Sequence, residues 1–338
     1  MTAPRLFMPP QRPAHVPADL AFGCLGAAWS RGDLGFLDSA VGEEAVLRQP
    51  GHVGTGPGSA MAEALADLAA FPGAEILAED ALEAETGDSA SDAGPGTYVA
   101  ARATMLASHH GPGRFGPGSG RTVQARTMGD FWIDGDGRVQ DAWVIRDTAA
   151  ILAQTGGPAP RDWARAQIAA AGKSERMAPP LTPETDIEGP YGARGSNAPA
   201  AAGFADLLRR IMGGEIAAIA SEYDPACELA HPGAGQAMGH RAATAFWAGL
   251  RSALPSAAFR VEHRIAASDP GRAPRAALRW SLYGRHDGHG RWGPPTGAYV
   301  HVLGLTHAEF GPGGLRREWT LIDDAAIWTQ ILLATGAH

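Results

Sequence analysis

Cysteine is scarce: only Cys24 and Cys227 occur in 338 residues. They do not correspond between the two repeats described below, so a disulfide framework is excluded and a reduced, cytoplasmic protein is expected. Positive charge is also short, with 28 Lys and Arg against 36 Asp and Glu for a net charge of −8. No basic stripe is available to neutralise phosphates, which argues against a nucleic-acid partner. No apolar run approaches the ~18 residues of a transmembrane helix, so no membrane partner is expected. The opening MTAPRLFMPPQRPAH is broken by proline and lacks the apolar core of a signal peptide. There is no Gly-x-Gly-x-x-Gly run between a strand and a helix, no P-loop and no Gly-x-Ser-x-Gly elbow, so no cofactor is expected.

What the chain does have is a phrase written twice. GRFGPGSG (Gly113 to Gly120) returns as GRWGPPTG (Gly290 to Gly297), an offset of 177 residues that also carries His109 onto His286 and Arg102 onto Arg279. Further on, DAWVIRDTAAILAQTG mirrors REWTLIDDAAIWTQ, with Trp143 on Trp319, Asp147 on Asp323 and Gln154 on Gln330 at an offset of 176. The one-residue difference belongs in a turn. This repeat is too long for a solenoid, whose periods run ~20 to 50 residues, so it reads as two copies of a whole domain. Length agrees, at about 150 residues per domain.

In each copy, helical spacing precedes strand-like alternation. Residues 17–45 and FADLLRRIMGGEIAAIASEY read as helical, and AMAEALADLAAF and HRAATAFWAGLRSAL add a second helix. FRVEHRIAAS, RAALRWSLYG and YVHVLGLTHAEF alternate as strands, bounded by glycine-rich turns. The expected layout is α+β, helices covering one face of an antiparallel sheet. Residues 1–16 form an extension, 17–156 the first domain, 157–203 a Pro/Gly/Ala-rich connector with a short helix near 161–171, and 204–338 the second domain. The two domains are expected to dock sheet against sheet as an intramolecular pseudo-dimer, with further homodimerisation left open.

The second copy carries a family resemblance. Its LYGRH strand end, its Gly-x-Pro-Pro-Thr turn, its GPGG hairpin, its Glu-Trp strand and its Asp-x6-Gln helix resemble the SnoaL-like polyketide cyclases of the nuclear transport factor 2-like superfamily. The first copy resembles the same pattern more loosely. The resemblance implies two cone-shaped α+β barrels, each a curved sheet around helices with a pocket in the cone, used by relatives for cyclisation, isomerisation, dehydration, epoxide hydrolysis or binding alone. It does not settle function. The family's catalytic Asp position holds Thr320 here and Val144 in the first copy, and the partner His position holds Thr306 and Gly129. The usual cyclase pair is therefore absent.

Other residues must carry any chemistry. His109 and His286 end the same strand, where an imidazole serves either as a general base or as a brace for the glycine loop. Asp147 and Asp323 stand where a helix N-cap belongs, and the second copy adds Asp324 where the first has Thr148. By side-chain parity Val300, Val302, Gly304 and Thr306 share one strand face and His301, Leu303, Leu305 and His307 the other. The resemblance places the pocket on the first of these faces. Trp143 and Trp319 read as core anchors, and Trp280, Trp292 and Phe115 as aromatics at a pocket mouth. Arg279, like Arg102, suits either a carboxylate ligand or an ion pair, and His231 stands where the family places a polar pocket residue. HDGH (His286, Asp287, His289) lies in a glycine-rich loop without a further ligand, so no metal is expected.

The second copy is richer in histidine and is expected to hold the site. The expected function is cofactor-independent acid/base chemistry, as a lyase, isomerase or hydrolase, on a small polar or cyclic metabolite. His286, Asp323, Asp324 and His307 are the expected catalytic groups, with His231, Arg279, Trp280, Trp292, Thr306, Thr320, His109 and Asp147 contacting substrate. The alternative is a binding or scaffold protein of the same fold.

Overall fold

The computed structural model describes residues 16–26, 34–85, 94–171, 180–189, 195–233 and 235–337. The first lobe comprises α1 (Pro17–Gly26), α2 (Leu34–Ala40), β1 (Val41–Gln49), β2 (His52–Thr55), α3 (Gly56–Leu68), β3 (Glu75–Glu85), β4 (Gly96–Ser108), β5 (Thr122–Asp134), β6 (Val139–Arg146) and α4 (Thr148–Thr155). The connector contributes α5 (Pro160–Ala171). The second lobe comprises α6 (Pro199–Met212), α7 (Ala218–Glu222), β7 (Tyr223–Ala230), β8 (Gln236–Met238), α8 (Gly239–Ala253), β9 (Ala258–Ala267), β10 (Arg275–Arg285), β11 (Tyr299–Gly311), β12 (Gly314–Leu321) and α9 (Asp324–Thr335).

The two sheets have the same order, β2-β1-β6-β5-β4-β3 and β8-β7-β12-β11-β10-β9, so the sequence repeat is a repeat of topology. Two features depart from the sequence reading. Residues 41–45 belong to β1 and Tyr223 to β7, not to the preceding helices, and these strands pair in parallel with β6 and β12. The apolar spacing there fits either period. The free edge of β6 or β12 settles it by offering a ladder that a helix cannot satisfy.

Both expected N-caps are present. Asp147 accepts from Ala150 N at 3.0 Å, and Asp323 from Ala325 N at 2.9 Å and Ala326 N at 3.2 Å. The glutamine seven residues on completes the motif. Gln154 brackets the backbone of Gln124 (2.9 and 2.8 Å), and Gln330 that of His301 (2.7 and 3.0 Å). Each terminal helix is thus fastened to its sheet by one side chain that both donates and accepts. The duplicated glycine loop folds back on the C-terminal end of α3 or α8. A Cβ on Gly111 would lie 1.7 Å from Ala69 O, and one on Gly288 1.9 Å from Ser252 O, so only glycine fits.

The outward faces of the sheets meet at the seam between lobes. Two apolar groups fill it, one containing Met128, Trp143, Ile145, Leu303, Leu305 and Leu321, the other Leu82, Tyr98, Trp132 and Ile265. The repeated Arg and Trp pair crosswise: Arg279 lies 4.8 Å over the ring of Trp143, and Arg102 lies 3.6 Å over that of Trp319. Trp143 and Trp319 therefore anchor the seam rather than a lobe interior, because parity turns them away from the cone. Among the described residues no helix is long and apolar enough to cross a membrane.

Candidate functional site

The inner face of the second sheet carries a buried polar network centred on Glu318, a residue with no exposed surface. Tyr223 donates its hydroxyl to Oε2 at 2.5 Å, and Trp247 Nε1 donates to the same oxygen at 3.3 Å. Oε1 accepts from Thr320 at 2.7 Å and lies 3.0 Å from His231 Nε2. The hydroxyls of Thr320 and Thr306 stand 3.1 Å apart, and Trp280 Nε1 donates to Thr306 at 2.9 Å. Each hydroxyl has one proton; Thr320 spends its own on the carboxylate, so Thr306 donates to Thr320. Burial pushes the Glu318 carboxyl up, but the hydrogen bonds and charge of His231 and the hydroxyls of Tyr223 and Thr320 outweigh it and hold it below its ordinary value. Burial first, then the charge of Glu318, raises the Tyr223 phenol well above its usual range.

His231 follows β7 and stacks on Phe246, ring centroids 3.9 Å apart. Because the ionised Glu318 only accepts, Nε2 of His231 carries a proton. Nδ1 has no partner among the described residues, and the ring is partly exposed. A buried carboxylate, an imidazole oriented by it and an open ring nitrogen are an arrangement able to accept and return a proton.

Of the residues expected from sequence, the network brings together His231, Trp280, Thr306 and Thr320. Trp280 is fully buried and lies within the cone instead of at a mouth. Asp324 and Trp292 form a second cluster: Arg291 grips Asp324 through two bonds of 2.7 and 2.6 Å, and Trp292 Nε1 donates to it at 2.9 Å. Arg291 also lies 5.4 Å over Phe246, the ring that stacks on His231.

The other expected residues stand apart. His286 is buried, with Nδ1 3.0 Å from Thr296 Oγ1, and its backbone pairs with Thr296, Gly297 and Ala298. His109 makes the same bond to Ser119 at 3.1 Å. Both braces are of one kind, the loop-fixing alternative, and burial lowers both imidazoles below the usual value. Asp147 and Asp323 bridge the lobes besides capping: Gly233 N donates to both oxygens of Asp147 at 2.9 and 3.0 Å, and Thr148 donates to Asp323 at 2.7 Å. Arg279 lies at the seam, bound to Asp141 at 3.0 Å. His307 also faces the seam, and burial, with the charges of Arg102 and Arg275, keeps it well below the ordinary imidazole value. Among the described residues no three His, Cys, Asp or Glu gather as a metal site.

Sequence reasoning passed over Glu318, Tyr223 and Trp247. The signal for Glu318 was available: it lies two residues before Thr320 and so shares its face. A glutamate on the inward face of a strand needs partners. In the first lobe the corresponding positions hold Ala142, Val41, Gln49, Val144 and Gly129, and the network is missing.

Asp323 supplies a pH prediction. Burial raises its carboxyl from 3.8 to about 6. The folded chain therefore holds this proton more tightly than the unfolded chain, and the stability it contributes is present below pH 3.8 and lost as pH rises through 6. Asp323→Asn, which still caps a helix, is expected to melt at a temperature that rises relative to wild type between pH 4 and 7. Parallel melting curves across that range would show that Asp323 does not titrate this way.

Residues 204–331, which make up most of the second lobe, match the family model described as SnoaL-like polyketide cyclase. Among solved structures the chain is similar to IdmH from Streptomyces antibioticus, with 26% identity over 42% of this chain and 99% of that one and a TM-score of 0.34. It is also similar to AclR from Streptomyces galilaeus (19% identity, 42% and 99% coverage, TM-score 0.35). A third is a protein with a ketosteroid isomerase-like fold from Catenulispora acidiphila, solved with trimethylamine (13% identity, 41% and 94% coverage, TM-score 0.32). No curated protein matches the chain.

Proposed function

We propose that this protein is a cytoplasmic acid/base enzyme, a lyase, isomerase or hydrolase of small polar or cyclic metabolites, whose proton carrier is His231. The observation that supports this reading is the His231–Glu318 pair. A neutral His231 with its proton on Nε2 presents a lone pair at Nδ1, and Glu318 stabilises the imidazolium formed when Nδ1 takes a substrate proton. Returning that proton to a neighbouring substrate atom completes an isomerisation or an elimination without a cofactor. Tyr223, Trp247 and Thr320 keep Glu318 ionised and fixed, and Phe246 holds the imidazole plane.

A fractionated metabolite extract incubated with wild type, His231→Ala and His286→Ala tests the assignment by mass spectrometry. A compound consumed by wild type is expected to be spared by His231→Ala. His286→Ala is expected to consume it while melting lower, since it loses a loop bond worth about 1 kcal/mol. Consumption by His231→Ala, or its loss in a fully folded His286→Ala, refutes the dyad. Trp247, Trp280 and Tyr223 fill much of the second cone, and this packing favours a second reading, a binding protein, under which wild type retains a compound without changing it.

A further inference from the structure

The loop that carries His231 is gripped by the other lobe. Arg126, on β5, donates from Nη1 to Ala230 O at 2.8 Å, one residue before His231. Asp147, the N-cap of α4, accepts from Gly233 N with both carboxylate oxygens, at 2.9 and 3.0 Å, two residues after it. Each bond involves a charged group, the stronger kind of hydrogen bond. The two grips act as one unit, because Asp147 N donates to Arg126 O at 2.9 Å and Gln154 fastens α4 to the backbone of β5.

The chain between the grips is stiff. Pro232 restricts the backbone of His231 to extended conformations, and Gly233 turns with φ of 98°, in the left-handed region. Holding Ala230 and Gly233 therefore sets where the imidazole stands between Glu318 Oε1 at 3.0 Å and the ring of Phe246 at 3.9 Å.

The grip is one-sided. The 177-residue offset puts Leu303 where the first copy has Arg126, and Leu303 has no side-chain donor and packs in the apolar seam. Asp323, the counterpart of Asp147, takes its cross-lobe bond from Thr148. The counterpart of His231 itself is Gln49. The duplicated fold offers two such loops, and among the described residues only the one that carries the imidazole is held by this pair of side chains.

We infer that Arg126 and Asp147 of the first lobe are positioning residues for His231. They hold the loop Ala230–Gly233 so that the imidazole keeps its bond to Glu318 and presents Nδ1 in one direction. The meaning of this for catalysis rests on the reading of His231 as the proton carrier. The positioning itself is measurable without turnover.

Nuclear magnetic resonance of the full chain labelled with 15N-histidine tests it, with the His231 signal identified by its loss in His231→Ala. In wild type the Nε2 proton, held against buried Glu318, is expected to exchange slowly with water. Arg126→Met removes one grip, and Asp147→Ser keeps a helix cap but is too short to hold Gly233 as well. Each is expected to speed the exchange about tenfold or more, since exchange reports how often the loop opens. Arg126→Lys keeps a cationic donor and is expected to stay nearer wild type than Arg126→Met. Thr148→Val removes the neighbouring cross-lobe bond and touches neither grip, so it is expected to keep the wild-type exchange whatever its melting temperature. For a compound found to be consumed, Arg126→Met is expected to lower kcat about tenfold or more while KM holds. Should Asp147→Ser fail to fold, Arg126→Met decides alone. Unchanged exchange in Arg126→Met, or equal acceleration in Thr148→Val, would overturn the positioning even if His231→Ala spares the compound. Fast exchange in the grip variants together with consumption by His231→Ala would leave the positioning standing and sink the proton-carrier reading.

Discussion

Glu318→Ala is expected to melt about 10 °C below wild type and to have no measurable turnover. The substitution strips Tyr223, Trp247, Thr320 and His231 of their common acceptor, in a place water does not reach. Breaking a buried charged network by removing one partner costs about 3–5 kcal/mol, and the shortened side chain adds a cavity. Glu318→Gln separates the two roles. It keeps the shape and one acceptor oxygen, so the melting temperature should fall less. Its amide nitrogen, however, faces donors, and it cannot stabilise a charged His231, so turnover is expected to drop on the order of 10² to 10⁴. A Glu318→Ala protein that melts within about 2 °C of wild type would show that the network does not hold the second lobe together.

Asp141→Ala is expected to weaken the docking of the lobes by about 3–5 kcal/mol. Asp141 is 2% exposed and bridges Arg48 of its own lobe at 2.7 Å to Arg279 of the other at 3.0 Å. Its removal leaves the buried Arg48 to the partly exposed Asp186 at 2.7 Å and the buried Arg279 to Asp130 at 3.8 Å. Arg279 is also the cation over Trp143, so the loss spreads to the aromatic contact. Scanning calorimetry should show two separated transitions in the variant where wild type shows coincident unfolding of both lobes. A variant that keeps one transition at the wild-type temperature would mean that the apolar groups around Met128 and Leu303 suffice to hold the seam.

Much of the architecture was legible in the sequence, for reasons that differ by residue. The GRFGPGSG and GRWGPPTG phrases marked the duplication because Gly116 and Gly293, and Gly120 and Gly297, take the same positive φ in each lobe, a conformation that favours glycine. Asp147 and Asp323 were readable as caps because a cap depends only on the next few residues. Parity put Thr306 on one face of its strand and His301 and His307 on the other, since alternation is a property of one strand; which face lines the cone came from the family resemblance. The misses are of another kind. Residues 41–45 were given to a helix because their partner strand lies about a hundred positions downstream, and Trp143 was assigned to a core because an outward tryptophan has meaning only once a second sheet covers it.

By itself, then, the sequence determined the repeat, the α+β layout, the caps, the glycine turns and the side of each strand on which a residue stands. These follow from steric and hydrogen-bonding rules that act within a few residues. Only the tertiary structure decided which carboxylate would be central. Glu318 meets His231 across 87 residues and Tyr223 across 95, and Asp130 meets His263 across 133. Such pairings are set by how two sheets curve and dock, and one strand's pattern carries no record of the partner that curvature will bring within 3 Å.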